Sequence, residues 1–531
     1  MRTIGRSKPT KYREVKADEI CPLVWARIVA FVSCSESVRN LMRCDRRLRA
    51  LGKDPFLIAE WLKKHRPSTA LLYAAKLDTP DVARLILLYR GQTNVVDVKG
   101  YTPLHVACVF DRDAVADLFL RICPYDYTML FSVNYALSTP LHVACFCGSV
   151  ACVALILERS RMPQENKYIP LTSLLSAVDV RGRTPLHVAC AVNNTKVIET
   201  IVGAVCNGSS PLSPTRYWID LLTKFDGEGY TCLHYASQNG NLTILRLIAL
   251  SAEGISVSNL FSLAINYSGQ SLLHVAGGAC NEEAESTVHF LAMTDEHIKN
   301  LLFPARVRCV PGCIWPPLSV HKSHILNAVA SLSYRLNAED IHGRSPLHHA
   351  CMRDYHATLQ VMLSMARDMY LKVHENQLLP SSSEEDENSS TSSNDSSDDE
   401  YVSNNVYVVD VNAKNVFGFS PVHEAAIHGS TNAMRVLVDF GNAVKMEFPA
   451  SVVRTSFHLN VDLNAKDYCG MTPLHMAVQH DRGDVIDVML SFGTSVNVNP
   501  FCSEDGMTPL DIAKKRGNCE IVRKLEEVGG V

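Results

Sequence analysis

One nine-residue pattern returns along this chain, and any fold it adopts must repeat where the pattern repeats. The copies read Gly100-Tyr-Thr-Pro-Leu-His-Val-Ala-Cys108, Gly182-Arg-Thr-Pro-Leu-His-Val-Ala-Cys190, Gly229-Tyr-Thr-Cys-Leu-His-Tyr-Ala-Ser237, Gly343-Arg-Ser-Pro-Leu-His-His-Ala-Cys351 and Gly470-Met-Thr-Pro-Leu-His-Met-Ala-Val478. Looser copies start at Ser138, Gly269 and Gly418, and a last one at Gly506 carries Asp511 in the histidine place. Each copy reads as the opening of a short helix. Gly100 ends a tight turn, where glycine alone takes a positive φ without strain. Thr102 is an N-cap, its hydroxyl accepting from an otherwise unpaired N–H of the first turn. Pro103 loses nothing at the first helical position. Leu104 and Ala107, three apart, turn inward together.

Every copy is followed by a second apolar stretch, such as Val150-Ala-Cys-Val-Ala-Leu-Ile-Leu157, Leu242-Thr-Ile-Leu-Arg-Leu-Ile248 and Val485-Ile-Asp-Val-Met-Leu490. Gly148, Asn239-Gly240, Gly429 and Gly517-Asn518 stand between the two, as a helix stop requires. A lone helix pair cannot bury its apolar side; stacking neighbours makes the core continuous.

The pattern resembles the ankyrin repeat, a family of protein-binding modules. The resemblance implies an all-α solenoid of about nine to ten helix-pair units with hairpin insertions, plus a small N-terminal helical cap. It also implies that histidines such as His105 hydrogen-bond around the helix start and tie adjacent units together, a bracing role rather than a metal or catalytic one. Partner contacts would come from the hairpin tips and the exposed faces of the first helices, on the concave side. The tip positions flanking the glycines are Lys99 and Tyr101, Arg181 and Arg183, Glu228 and Tyr230, His342 and Arg344, Phe417 and Phe419, and Tyr468 and Met471. Tyrosine, arginine and phenylalanine are frequent interface anchors.

Composition fits that picture. Hydrophobic residues make up 47% of the 531, enough for a folded chain. A net charge of −4 is too near neutral to make nucleic acid the main partner. Many of the 18 cysteines, including Cys108, Cys145, Cys190 and Cys351, occupy small buried repeat positions. Met1 to Glu19 has no apolar signal core, and no run approaches the ~18 apolar residues of a membrane span. The expected setting is reducing and intracellular, cytoplasmic or also nuclear, with other proteins as partners and neither nucleic acid nor membrane. Catalytic signatures are missing: no Gly-x-x-x-x-Gly-Lys-Ser/Thr, no His-Glu-x-x-His, no Gly-x-Ser-x-Gly. The expectation is no enzyme and no cofactor.

Along the chain, residues 1–17 form a basic tail and 18–64 a helical segment without the repeat pattern. That segment resembles the F-box, a three-helix motif that docks a substrate receptor onto a cullin-type ubiquitin-ligase adaptor. On that resemblance Pro22, Ile28, Val32 and Leu48 would contact the adaptor; Cys21 stands where the motif usually has leucine. The other reading is a plain helical cap, which an end repeat needs physically. Residues 65–375 carry repeats with insertions, the first a degenerate one at Ala70-Leu-Leu-Tyr-Ala-Ala75. The spacings from His105 to His142, His187, His234 and His274 are 37, 45, 47 and 40 residues, all above about 33 for a minimal unit. The excess, for instance Arg161 to Leu174 and Asn207 to Thr215, is expected in the hairpins. His274 to His348 leaves room for a further diverged repeat or a long insertion. It contains Cys309, Cys313, His321 and His324, a weak zinc candidate because thiolate and imidazole suit tetrahedral zinc, though the spacing is short and proline-interrupted.

Residues 376–404 hold an acidic, serine-rich run with nothing to bury, expected to be a disordered loop. Ser381, Ser392, Ser396 and Ser397 each have an acid three residues on and are candidate phosphorylation sites. A solubilising spacer is the equal alternative. Residues 405–531 are expected to complete the repeats, closing on a polar helix pair with no SOCS-box tail expected after it. Two functions follow: an interaction scaffold holding a protein on the concave face, or, as the alternative, an F-box-type substrate receptor of a cullin-RING ubiquitin ligase.

Overall fold

The computed structural model describes residues 55–65, 69–88, 95–122, 128–161, 171–206, 214–251, 257–276, 282–292, 334–377, 409–447, 460–491, 496–503 and 505–530. Four earlier readings lie outside these: the F-box-like Pro22, Ile28, Val32 and Leu48, the cysteines and histidines between 309 and 324, the serines between 381 and 397, and the basic tail. The described chain is helical, with one isolated β-bridge between Ile265 and Ser271. No described helix is long and apolar enough to cross a membrane. The chain divides into two compact units, Met1–Val180 and Arg181–Val531.

In the first unit the helices are α1 (Pro55–His65), α2 (Ala70–Leu77), α3 (Pro80–Leu88), α4 (Pro103–Val109), α5 (Asp113–Ile122), α6 (Thr128–Phe131), α7 (Pro140–Cys147), α8 (Val150–Arg161) and α9 (Leu171–Ser176). Three helix pairs stack, α4 lying between α2 and α7 while α5 lies between α3 and α8. α1 covers the outer side of the first pair, against α2 and α3, and buries Ala59 and Leu62.

The second unit begins with α10 (Pro185–Ala191), α11 (Thr195–Cys206), α12 (Pro214–Leu222), α13 (Cys232–Gln238), α14 (Leu242–Ser251), α15 (Val257–Leu263), α16 (Leu272–Val275) and α17 (Glu282–Ala292). It continues with α18 (Pro346–Met352), α19 (His356–Gln377), α20 (Pro421–His428), α21 (Thr431–Glu447), α22 (Pro473–Gln479), α23 (Gly483–Ser491), α24 (Pro509–Arg516) and α25 (Cys519–Glu527). Its first helices form the row α10, α13, α16, α18, α20, α22, α24, and the second helices form a parallel row behind them.

The expected mechanics hold. Leu104, Ala107, Leu186, Ala189, Leu347 and Ala350 are all buried between repeats. Left-handed residues end the first helices: Gly148, Gly429 and Gly517, or Asp78, Asp111, Asn193, Asp354 and Asp481, side chains that tolerate that region. Cys108, Cys145, Cys152, Cys190, Cys232 and Cys351 are buried free thiols, and burial pushes Cys145 and Cys351 well above the ordinary range. They are packing residues.

One expectation changes. The extra residues are not in the hairpin turns but ahead of them, and they include three short helices, α9, α12 and α15. Trp218 of α12 is buried and donates to Ser251 Oγ at 2.9 Å. Between His274 and His348, where the sequence leaves a diverged repeat or a long insertion open, the packing favours the insertion. Helices α16 and α18 pack directly, and His274 Nε2 lies 3.0 Å from Arg344 O. The intervening chain is an insertion at a closed seam. The same holds beyond α19, where α18 packs on α20 and His348 Nε2 reaches Phe419 O at 3.0 Å.

Gly203 in α11 has open space around a would-be Cβ and lies in helical backbone. Gly203→Ala is expected to stabilise by about 0.5–1 kcal/mol, read as a higher urea midpoint.

Candidate functional site

The recurring histidine is a brace. Thr102 N–H donates to His105 Nδ1 (3.2 Å) while His105 N–H reaches Thr102 Oγ1 (3.4 Å), a reciprocal capping box. With Nδ1 accepting, Nε2 carries the proton and donates to Ser138 O of the next repeat at 2.9 Å. The arrangement repeats at His187 to Tyr230 O (3.2 Å), His234 to Gln270 O (3.2 Å), His423 to Met471 O (3.2 Å) and His475 to Met507 O (3.2 Å). Burial lowers His105, His187, His234, His274 and His348 to about 4, so these rings are neutral at neutral pH. Asp511 fills the same place in the last repeat, accepting from Thr508 N–H at 2.9 Å. No group of three or more metal-ligating side chains gathers among the described residues.

Of the tip positions, the residues before or at the apex, Lys99, Arg181, Glu228, His342, Phe417 and Tyr468, are exposed. Those after the glycine are half-buried: Tyr101, Arg183, Tyr230, Arg344, Phe419 and Met471. Tyr230, Arg344, Phe419 and Met471 supply the carbonyls that the histidines bind. Tyr101, Tyr230 and Phe419 also set their rings against the histidine of their own repeat, at 5.7, 5.5 and 5.9 Å between centroids.

Two features escaped the sequence reading. The first is an Asp or Asn three residues before the left-handed tip residue, a glycine everywhere but at Leu137, whose carboxylate or amide oxygen folds the tip. Asp97 Oδ1 accepts from Lys99 N–H and Tyr101 N–H, both at 2.8 Å, and Asn134, Asp226, Asn266, Asp340, Asn415 and Asp467 do the same in their repeats. The tip is thereby fixed in size, which is why insertions fall ahead of it. The spacing is visible in the chain as Asp226 to Gly229 or Asn415 to Gly418. Just past each Asp or Asn, four hairpins of the second unit expose a large apolar residue: Tyr267 (66%), Ile341 (62%), Val416 (55%) and Tyr468 (69%). Backbone bonds hold neighbours in register, Ile341 N to Ser268 O and Val416 N to His342 O, each 3.0 Å.

The second feature sits behind the tips. Where most first helices put Val106, Val143, Val188, Met476 or Ile512, three put a polar side chain that pairs with a residue nine positions earlier at its own tip. Tyr235 Oη donates to Asp226 Oδ2 (2.7 Å), His349 Nε2 donates to Asp340 Oδ2 (2.9 Å), and Asn415 Nδ2 donates to Glu424 Oε1 (3.0 Å). Burial raises Glu424, with Arg344 (3.5 Å) opposing it. Burial also raises Asp340, but bonds from the Arg344 N–H and from His349 outweigh it and hold the carboxyl low. These buried polar pairs stiffen the tip from below, although His349 Nδ1 is itself buried without a hydrogen-bond partner.

Fold and surface define a helix-pair repeat protein. Family profiles then place the repeats. "Ankyrin repeats (3 copies)" matches residues 128–215, 170–259 and 442–529, and "Ankyrin repeat" matches 99–129. The chain is an ankyrin-repeat protein, a protein–protein interaction architecture. Between 259 and 442, where no matched range falls, the structure adds α16/α17, α18/α19 and α20/α21. A 155-residue stretch is 28% identical to NF-kappa-B inhibitor alpha of Sus scrofa, covering 29% of this chain and 43% of the relative. The B-cell lymphoma 3 protein homolog of Mus musculus is 26% identical over 36% of this chain and 37% of its own length. The transient receptor potential cation channel subfamily A member 1 of Drosophila melanogaster is 25% identical over 76% of this chain and 29% of its own length. The chain spans less than half of each of these relatives.

Proposed function

We propose that this protein is a non-catalytic scaffold that holds a protein partner along its hairpin tips and the adjoining exposed, concave-side faces of its first helices. One observation carries the reading: the row Tyr267, Ile341, Val416 and Tyr468, exposed on tips that are folded by their own Asp and Asn residues, the first three locked together by backbone bonds. Apolar groups presented on a rigid frame lose little entropy on binding, so their desolvation goes into affinity. One relative is named as an inhibitor of NF-kappa-B, which fits a role exerted through another protein; the setting we propose is the cytoplasm or nucleus. The tip residues Arg181, Glu228 and His342 would set the polar rim.

The test compares partners recovered by the tagged full chain with those recovered by a Tyr267→Ser/Val416→Ser/Tyr468→Ser variant, quantified by mass spectrometry. Specific partners should fall at least about tenfold, since several anchors of more than 1 kcal/mol each are lost. Unchanged urea midpoints would show that the frame survives. Equal recovery by both chains would refute the tip row as the contact surface.

A further inference from the structure

In the first unit the tips at 95–101, 132–138 and 178–180 are apolar on both sides of their Asp or Asn. Just past Asp97, Asn134 and Asp179 stand Val98 (91% exposed), Tyr135 (74%) and Val180 (64%). Just before them stand Val96, Val133 and Val178, exposed as well. Backbone bonds hold the three tips in register: Tyr135 N–H donates to Lys99 O at 3.2 Å and Val180 N–H to Ala136 O at 3.0 Å. The Tyr135 ring lies against Gly100 of the preceding tip, where an added Cβ would meet Cδ1 at 2.9 Å. The surface is preformed, so little order is lost when something covers it.

Charge is nearly absent from it. Asp97 spends Oδ1 on the N–H groups of Lys99 and Tyr101, Asp179 is buried, and Lys99 is the charged side chain left exposed among these tip residues. The second unit differs. There, three successive tips put Glu339, Lys414 and Lys466, all exposed, in the place that Val96 and Val133 hold here. A mixture of charge and apolar surface suits a separate partner, whereas faces that join two copies of one chain are more apolar and poorer in charge.

We propose that this face joins two copies of the chain, tip to tip about a two-fold axis. Such an axis sets one patch against its own copy, so a charge at the centre would meet its like. Here the centre is Tyr135, between Val98 and Val180, and nothing repels. The area agrees. Weighted by side-chain size, the six exposures amount to on the order of 600 Å², as much as the largest apolar patch on a typical monomer. Two such patches pressed together remove about 1,200 Å² before any rim is counted, which reaches the range of stable specific interfaces.

The oligomeric state of the full chain tests this. Sedimentation velocity between about 0.5 and 50 µM should show the monomer passing to a species of twice the chain mass, as for a micromolar dissociation constant. A Val98→Ser/Tyr135→Ser/Val180→Ser variant should raise that constant at least about tenfold, with an unchanged urea midpoint verifying the fold. Two measurements on the parent need no variant. Raising salt to about 1 M should leave the dimer intact, since an apolar contact is not screened. Hydrogen exchange should slow at 95–101 and 132–138 as the protein is concentrated over the same range. The proposal is overturned by a chain that stays monomeric at about 50 µM, including one whose tips hold a different protein instead. A dimer that survives the triple variant, that dissolves in salt, or that protects other segments and not these tips overturns it too. The Tyr267→Ser/Val416→Ser/Tyr468→Ser variant should dimerise as the parent does, so this inference and the scaffold reading fail separately.

Discussion

Lowering the pH from 7.5 to 5 is expected to destabilise the repeats strongly, and histidine is the reason. The brace uses the neutral ring with Nδ1 accepting from the threonine N–H, as in His234 with Thr231 at 3.1 Å. Protonation would set a second N–H against that donor, in a site that already penalises charge through burial. The folded values of His105, His187, His234, His274 and His348 are therefore depressed to about 4, below the unfolded value near 6.5. Such a group contributes its stability in full above pH 6.5 and loses it as pH falls from there through 4, because the unfolded chain takes up the proton first. On the order of 1–2 kcal/mol per histidine is at stake by pH 5. Urea midpoints by circular dichroism should fall steadily over this range, and His348→Gln should flatten the slope. A midpoint unchanged between pH 7.5 and 5 would sink the account. The lowered carboxyls, Asp340 and Asp511, titrate below this window and do not confuse it.

The second large effect is Gly229→Ala. Gly229 has φ +83°, and a Cβ there would lie 2.4 Å from Tyr267 Cγ and 2.6 Å from the Tyr267 backbone nitrogen. A side-chain clash can be relieved by rotation; a backbone clash cannot without parting the two hairpins. Left-handed strain of about 1–2 kcal/mol adds to the separation, giving a loss of about 3 kcal/mol. The comparison with Gly203→Ala, the same chemical change in open helical space, isolates the cause. Equal midpoints for the two variants would contradict it.

The sequence made the helix pairs legible because the motif encodes its own boundaries. Thr or Ser and Pro open α4, α7, α10 and α18, and a closing Gly or Asn follows α7 and α10, while Asp111 and Asp354 take that place after α4 and α18. What it hid is tertiary. Nothing local says that the chain from His274 returns to the seam with His348, since the closing bond is made to a carbonyl seventy residues away. The short helices α9, α12 and α15 were missed because they follow no repeat spacing; Trp218 finds its burial and its partner Ser251 only in the folded stack. At the tips, the glycine drew the eye to its immediate neighbours, half of which turn out to serve the frame. The exposed row one residue past each Asp or Asn needed the turn geometry to be seen.

The closed seam at α16 and α18 has an evolutionary reading. Because the brace is made repeat to repeat, the length of chain leaving and re-entering matters only through loop entropy, and doubling a loop costs about 0.6 kcal/mol. A lineage could splice new peptide into that joint again and again, each graft nearly neutral to the architecture that carries it.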